Sequence, residues 1–269
     1  MKSEGEYRKD IVEVCRRIYN RGYVASNDGN VSVRISDDEV IATPTGMSKG
    51  FLTTDQLVKV NMDGEKLEGY LNPSSEIKFH IRVYRERPDV RAVVHAHPPI
   101  STAFAVAGIP LDELILPEVI LTLGIVPIAP YAPPSTEELA DKVGEYIKCC
   151  DAVLLANHGA LTVGPDVYGA YYKMETLEHF AHILWIARSL GGPRQLSEED
   201  VRRLMELRER FRISTKNPLC DQCPVLKAAQ AFVDGIPLNV PAEESTSRIS
   251  DEELIDKITK MVLKELERT

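Results

Sequence analysis

His95 and His97, one residue apart, close the apolar run Val90-Arg91-Ala92-Val93-Val94, and His158 closes a second such run, Ala152-Val153-Leu154-Leu155-Ala156-Asn157. Side chains at i and i+2 of a strand leave the sheet on the same face, so both imidazoles of the pair can reach one ion while a neighbouring strand delivers a third. Three histidines with one open position are the donor set of a catalytic zinc rather than of a closed structural one. A His-x-His pair at a strand end can also be mere polar punctuation before a loop. Here, however, three of the chain's six histidines end apolar strands, and Ser74-Ser75-Glu76, a helix start that carries a carboxylate, lies just upstream of the pair. That concentration of donors favours a metal site.

The surrounding elements follow from periodicity. Ile11, Val14, Cys15, Ile18 and Tyr19 repeat at helical spacing over residues 6 to 21, with Gly22 as a stop. The period then shortens: Val31-Ser32-Val33-Arg34-Ile35 and Val40-Ile41-Ala42 flank a polar turn, and Val58-Lys59-Val60 leads into Asp63-Gly64, so two hairpins are predicted. Antiparallel pairs this early argue against a doubly wound parallel sheet. Ser74 or Ser75 can cap a helix running to about Arg85, after which comes the strand that ends in the histidine pair. A short helix is expected from Pro99 to Ala107, another from the capping box Ser135-x-x-Glu138 to about Lys148, a long one from Asp166 to Leu190, and one from Ser197 to about Phe211. His179 and His182 lie three apart on the long helix without a third partner and read as surface or packing residues.

Beyond Ile213 the pattern fails. Residues 213–248 hold four prolines and Cys220-x-x-Cys223, half of a zinc knuckle, and read as a linker. Residues 249–269 follow as a short amphipathic helix with Leu254, Ile255, Ile258, Met261, Val262 and Leu266 on one arc. Thirty-two basic against 41 acidic residues give a net charge of −9, with no basic cluster to meet a nucleic-acid backbone. Neither a leader-like N-terminus nor a run of about 18 apolar residues is present, so a cytoplasmic protein with reduced cysteines is expected, without a membrane partner.

Four segments, Gly29-Asn30-Val31-Ser32, Thr43-Pro44-Thr45-Gly46, Pro73-Ser74-Ser75-Glu76 and the histidine set with Asn157-His158-Gly159, stand in an order and spacing that resemble the class II aldolase/adducin family, over about residues 6 to 211. The likeness is to its fuculose-phosphate branch, because Glu follows Pro-Ser-Ser where the related 4-epimerases have Asp. The resemblance implies an α/β fold of three layers, α/β/α, around a central mostly antiparallel sheet, occupying residues 1–212. It implies that His95, His97, His158 and Glu76 hold Zn2+, that Glu76 is also the catalytic acid/base, and that Gly29, Asn30, Thr45, Gly46, Ser74 and Ser75 cradle a phosphate. Taken without the family, the last six are turn and cap residues. His80, one turn after Glu76 on the same helical face, could support it but is expected to pack.

The implied reaction is reversible cleavage of a ketose 1-phosphate, L-fuculose 1-phosphate or L-rhamnulose 1-phosphate, to dihydroxyacetone phosphate and L-lactaldehyde by a homotetramer with intersubunit sites. Dehydration of a methylthioribulose phosphate, 4-epimerisation of a pentulose phosphate, and a non-enzymatic adducin-like scaffold are the alternatives on the same fold. One departure stands out: Leu116 falls where the fuculose-phosphate enzymes use a tyrosine from a neighbouring subunit as proton donor, which leaves Glu118 and Tyr131 as nearby candidates. The terminal helix resembles encapsulation peptides that direct enzymes to the shells of bacterial microcompartments.

Overall fold

The computed structural model describes residues 2–216. Cys220, Cys223, the helix expected at 249–269 and all but the first four residues of the expected linker lie outside them. Helix α1 spans Glu4–Asn20, two residues earlier than its apolar repeat suggests, because Ser3 accepts a hydrogen bond from the Glu6 amide while the Glu6 carboxylate accepts one back from the Ser3 amide. It buries Ile11, Val14, Cys15 and Ile18.

Strands β1 (Asn30–Arg34), β2 (Glu39–Ala42), β3 (Val58–Asn61) and β4 (Lys66–Glu68) form the two hairpins expected from the sequence. Strand β5 (Ala92–Ala96) then crosses to pair antiparallel with β1, and β7 (Ala152–Leu155) and β8 (Gly159–Gly164) form a third hairpin whose second strand lies beside β5. With the two-residue β6 (Ile128–Ala129) the sheet has eight strands in the order β4-β3-β2-β1-β5-β8-β7-β6, and only β6 and β7 run parallel.

Alternation along the strands divides the core. Val31, Val33, Ala92, Val94, Ala96 and Ala160 face α1, α3 (Pro99–Ala107) and α6 (Val167–Ser189), whereas Val40, Val60, Val93, Val153 and Leu161 face α2 (Ile77–Glu86) and α5 (Glu137–Ile147). This is a three-layer α/β/α arrangement on a mostly antiparallel sheet. The helix α7 (Glu198–Arg210) packs on the short α4 (Pro117–Thr122), an element too brief to show a period in the sequence.

Two helix starts differ from expectation. Residue Glu76, not Ser74 or Ser75, occupies the cap of α2, because the Ser74 amide is drawn out to pair with the Thr43 carbonyl at 3.1 Å and the chain turns helical only afterwards. Thr136, not Ser135, caps α5 through the Leu139 amide, while Ser135 sits at φ +66°.

The strand ends opposite the histidines are pinned by charge. The buried Asp151, just before β7, receives Arg87 from the end of α2 at 2.8 Å and Lys173 from α6 at 2.6 Å. Lys173 also donates to Val163 O at 2.8 Å and Arg87 to Ile147 O at 2.9 Å, so each cation finds backbone acceptors as well. Helices on both faces are thereby tied to the same strands that carry the histidines at their other ends.

Candidate metal centre

The end of β5 delivers His95 and His97, and the turn Ala156-Asn157-His158, closed by the Leu155–Gly159 pair, delivers His158. Asn157 takes φ +56°, a left-handed conformation that asparagine tolerates better than most residues, and so lets β7 turn into β8 in three residues. Glycine is needed next: a Cβ on Gly159 would stand 2.6 Å from both His97 Cδ2 and Ala96 O. On the other flank Gly29, at φ +71°, has room for no Cβ either, since one would meet His95 O at 2.8 Å.

The three imidazoles converge. Their ring centroids lie 4.8–5.1 Å apart and one nitrogen from each falls within 4.8 Å of the others. His95 Nε2 and His97 Nε2 face each other at 3.1 Å. Glu76 completes the set from the start of α2, with Oε2 3.5 Å from His95 Nε2 and Oε1 3.3 Å from His158 Nε2. His95 Nδ1 is 2.9 Å from the Ala160 carbonyl, which fixes that nitrogen as the donor and leaves Nε2 with a lone pair. Glu76 Oε1 and His158 Nδ1 are buried without a hydrogen-bond partner, and two nitrogen lone pairs at 3.1 Å repel unless a cation or a proton lies between them. Three neutral nitrogens and one carboxylate oxygen suit a divalent transition metal.

Electrostatics point the same way. Burial holds His95 well below the ordinary imidazole range and pushes His158 down to about 4, in both cases helped by the neighbouring histidines. His97 is lowered by burial too, with the Asp28 carboxylate 3.5 Å from its Nδ1 opposing the shift. Glu76 is raised by burial, against an Asn30 hydrogen bond that lowers it.

Asp28 and Lys49 were not singled out by sequence reasoning. Asp28 can orient His97 through Nδ1, as a carboxylate behind a ligating imidazole does. Lys49 is buried, donates from Nζ to Asn27 O and Met47 O at 2.8 Å each, and has its pKa lowered by burial against the pull of Asp28 and Glu76. Both adjoin motifs that were found, Asp28 before Gly29-Asn30 and Lys49 just after Thr45-Gly46, and that adjacency was the only signal available.

The six residues of the implied phosphate cradle come from three segments that meet. Thr45 N donates to Asn72 O at 3.0 Å, Ser74 N to Thr43 O at 3.1 Å, and Pro44 and Pro73 form an antiparallel bridge, so the loops bearing Thr45-Gly46 and Ser74-Ser75 are sewn together. Asn30 lies opposite His95 in the β1–β5 register. Its side chain is already engaged, with Nδ2 donating to Glu76 Oε2 at 2.8 Å and Oδ1 against His80 Nε2. His80, expected to pack, does stack on Phe79 and is also linked to Glu76 through Asn30. Leu116 packs partly buried against the core, whereas Glu118 and Tyr131 are exposed, and so are His179 and His182 on α6.

Residues 9–185 match the family of the class II aldolase and adducin N-terminal domain. The chain belongs to that family. It is 35% identical over 181 residues to an L-fuculose phosphate aldolase of Methanococcus maripaludis, covering 67% of this chain and 97% of that one. It is 36% identical over 189 residues to a 3-oxo-tetronate 4-phosphate decarboxylase of Escherichia coli, covering 69% and 89%. The crystal structure of YgbL from Klebsiella pneumoniae superposes with a TM-score of 0.70 at 31% identity, over 76% of this chain and all of that one. Aldolase and decarboxylase relatives alike make this chain a metal-dependent lyase of the class II aldolase type. No helix among the described residues is long and apolar enough to cross a membrane.

The lowered imidazoles set a sign for stability in the metal-free protein. His80, pushed to about 3, and His95, His97 and His158 all titrate below their ordinary value of 6.5 when folded, so between those values the unfolded chain binds more protons. Their contribution is complete above pH 6.5 and is lost as pH falls toward about 4. Glu76, raised, works in the opposite direction as a single group. Chelator-treated protein should show a denaturant midpoint that drops steadily through that window; a midpoint independent of pH there would mean the imidazoles are not buried as neutral groups.

Proposed function

We propose that the chain cleaves a carbon–carbon bond beside the carbonyl of a small phosphorylated sugar, with L-fuculose 1-phosphate or L-rhamnulose 1-phosphate giving dihydroxyacetone phosphate and L-lactaldehyde as the first reading. The observation that carries it is the unpartnered Glu76 Oε1 beside three converging imidazoles. Zn2+, held by His95, His97, His158 and Glu76, is the cofactor this reading assigns, and it would supply a Lewis acid that polarises the carbonyl and stabilises the charge released on cleavage.

The residues of the chain do the rest. Glu76, whose carboxyl is raised above its ordinary range by burial, is assigned the proton transfers: in cleavage it removes the hydroxyl proton at the carbon beyond the breaking bond and returns it to the carbon that inherits the electron pair. The proton removed is the proton returned, so the step balances. The phosphate is assigned to Gly29, Asn30, Thr45, Gly46, Ser74 and Ser75. Small residues there let backbone amides approach, hydroxyls donate, α2 starts beside them, and the Lys49 ammonium beneath the two loops adds positive potential. The homotetramer is supported by exposed apolar side chains on α3 and α6, Val106, Trp185 and Ile186.

One observation favours a second reading, decarboxylation of a 3-oxo acid phosphate. Leu116 stands where the resemblance puts a tyrosine donor to the aldehyde oxygen, and release of carbon dioxide leaves no such oxygen to protonate. Zinc-loaded protein given L-fuculose 1-phosphate and, separately, 3-oxo-tetronate 4-phosphate decides between them: dihydroxyacetone phosphate from the former supports the aldolase, carbon dioxide from the latter alone supports the decarboxylase. In either case Glu76→Gln should lower kcat by about 10²–10⁴-fold while metal uptake persists, and full activity in that variant would remove Glu76 from the chemistry.

Residues 249–269 are proposed to be an encapsulation peptide, supported by their apolar arc alone. Fused to a fluorescent protein and co-expressed with a microcompartment shell, they should give punctate fluorescence, and a diffuse signal would refute the assignment.

A further inference from the structure

Behind Glu76 runs a file of buried polar side chains, Asn30, His80, Ser32 and Tyr84, of which only Asn30 belongs to the phosphate cradle, and there its side chain is already engaged. Asn30 Nδ2 donates to Glu76 Oε2 at 2.8 Å, His80 Nε2 is hydrogen-bonded to Asn30 Oδ1, and Ser32 Oγ lies 2.7 Å from both His80 Nδ1 and Tyr84 Oη. The spacing is that of two regular elements laid against each other. Glu76, His80 and Tyr84 recur every four residues on one face of α2, and Asn30 and Ser32 every two on one face of β1. Asn30, Ser32, His80 and Tyr84 are all at most 4% exposed, so the file is closed to water.

The order of donors can be worked out from its end. An ionised carboxylate only accepts, so Asn30 must present its NH2 to Glu76 and its carbonyl oxygen to His80. That oxygen needs a donor, which places the His80 proton on Nε2. Burial pushes this imidazole down to about 3, so Nδ1 carries no second proton and must accept from the Ser32 hydroxyl. Ser32 Oγ then accepts from the Tyr84 hydroxyl.

We infer that Tyr84, Ser32, His80 and Asn30 form a one-way hydrogen-bond file that holds Glu76 Oε2 as a fixed acceptor and leaves Oε1 as the oxygen that exchanges its partner during catalysis. The two oxygens are unlike in the structure: Oε2 has Asn30, whereas Oε1 is buried with no hydrogen-bond partner. Four residues that touch no reacting atom are thus positioning residues for the carboxylate. A proton taken at Oε1 leaves the file undisturbed, whereas a proton on Oε2 would require Asn30 to turn over and every donor behind it to reverse. The assignment of Oε1 to proton exchange rests on the lyase chemistry proposed above; the direction of the file does not.

Nitrogen NMR of the histidine rings in the full-length protein, with His80 assigned by its disappearance in His80→Gln, reads the direction without any substrate. A neutral ring protonated at Nε2 and bare at Nδ1 at neutral pH is expected; a proton on Nδ1, or on both nitrogens, overturns the proposal. Function is read by a graded set on whichever substrate is turned over. His80→Phe keeps the stack on Phe79 but breaks the file, and should lower kcat on the order of 10–100-fold with KM nearly unchanged. His80→Gln can still offer an N–H to Asn30 and an oxygen to Ser32 and should recover most of that loss, while Tyr84→Phe, which removes only the terminal donor, should cost the least. Equal losses in the Phe and Gln variants would overturn the positioning role. A chain inactive on both substrates with the expected tautomer would count against the proposed reaction and leave the file standing.

Discussion

Three imidazoles, one buried and two partly so, have to be brought edge to edge while remaining uncharged, and the fold is organised around meeting that condition. Imidazolium groups at these separations would repel each other strongly where little water can screen them, so burial must come first and suppress protonation. The sheet supplies the burial. Strand β5 is central, flanked by β1 and β8, and His95 at its end is wholly excluded from solvent. Because β1 and β8 both run antiparallel to β5, they begin where it ends. The same edge therefore receives Asn30 from the start of β1 and Gly159 from the start of β8.

The carboxylate is placed by a compromise at the start of α2. Drawing Ser74 out to pair with Thr43 shortens the helix by a turn's fraction and puts Glu76 at its cap, where the positive end of the helix favours its charge while burial disfavours it. A carboxyl group balanced in that way is usable both as a ligand and as a base, which the chemistry asks of one residue. The charged cluster of Arg87, Asp151 and Lys173 fixes the far ends of the strands, so the histidine ends are not free to splay.

Much of this was legible in the sequence, for particular reasons. Two-residue and four-residue periods announced the hairpins and helices, and His95, His97 and His158 stood out because apolar strands rarely end in imidazoles three times in one chain. What escaped was whatever depends on pairings across long stretches of sequence. The register of β1 on β5 sets Asn30 opposite His95, yet no local pattern in either strand records it. Asp28 reaches His97 only through that same pairing, and Lys49 resembles an ordinary surface lysine until the loops close over it. Tyr84 looked like a routine helix residue and Ser32 stood only as the last member of a family segment, since a hydrogen-bond file between two elements has no signature in either alone. The start of α2 was misplaced for the opposite reason: Ser74 and Ser75 have strong capping chemistry, but a tertiary hydrogen bond claims the Ser74 backbone first.

The convergence of those donors on one cation is the claim from which the chemistry follows, and crystals of metal-loaded protein test it directly by anomalous diffraction at the metal edge. A single peak is expected among His95, His97, His158 and Glu76, at about 2.0–2.2 Å from the ligating nitrogens and oxygen. No peak there, or an ion held elsewhere with the three imidazoles hydrogen-bonded to one another, would contradict the account.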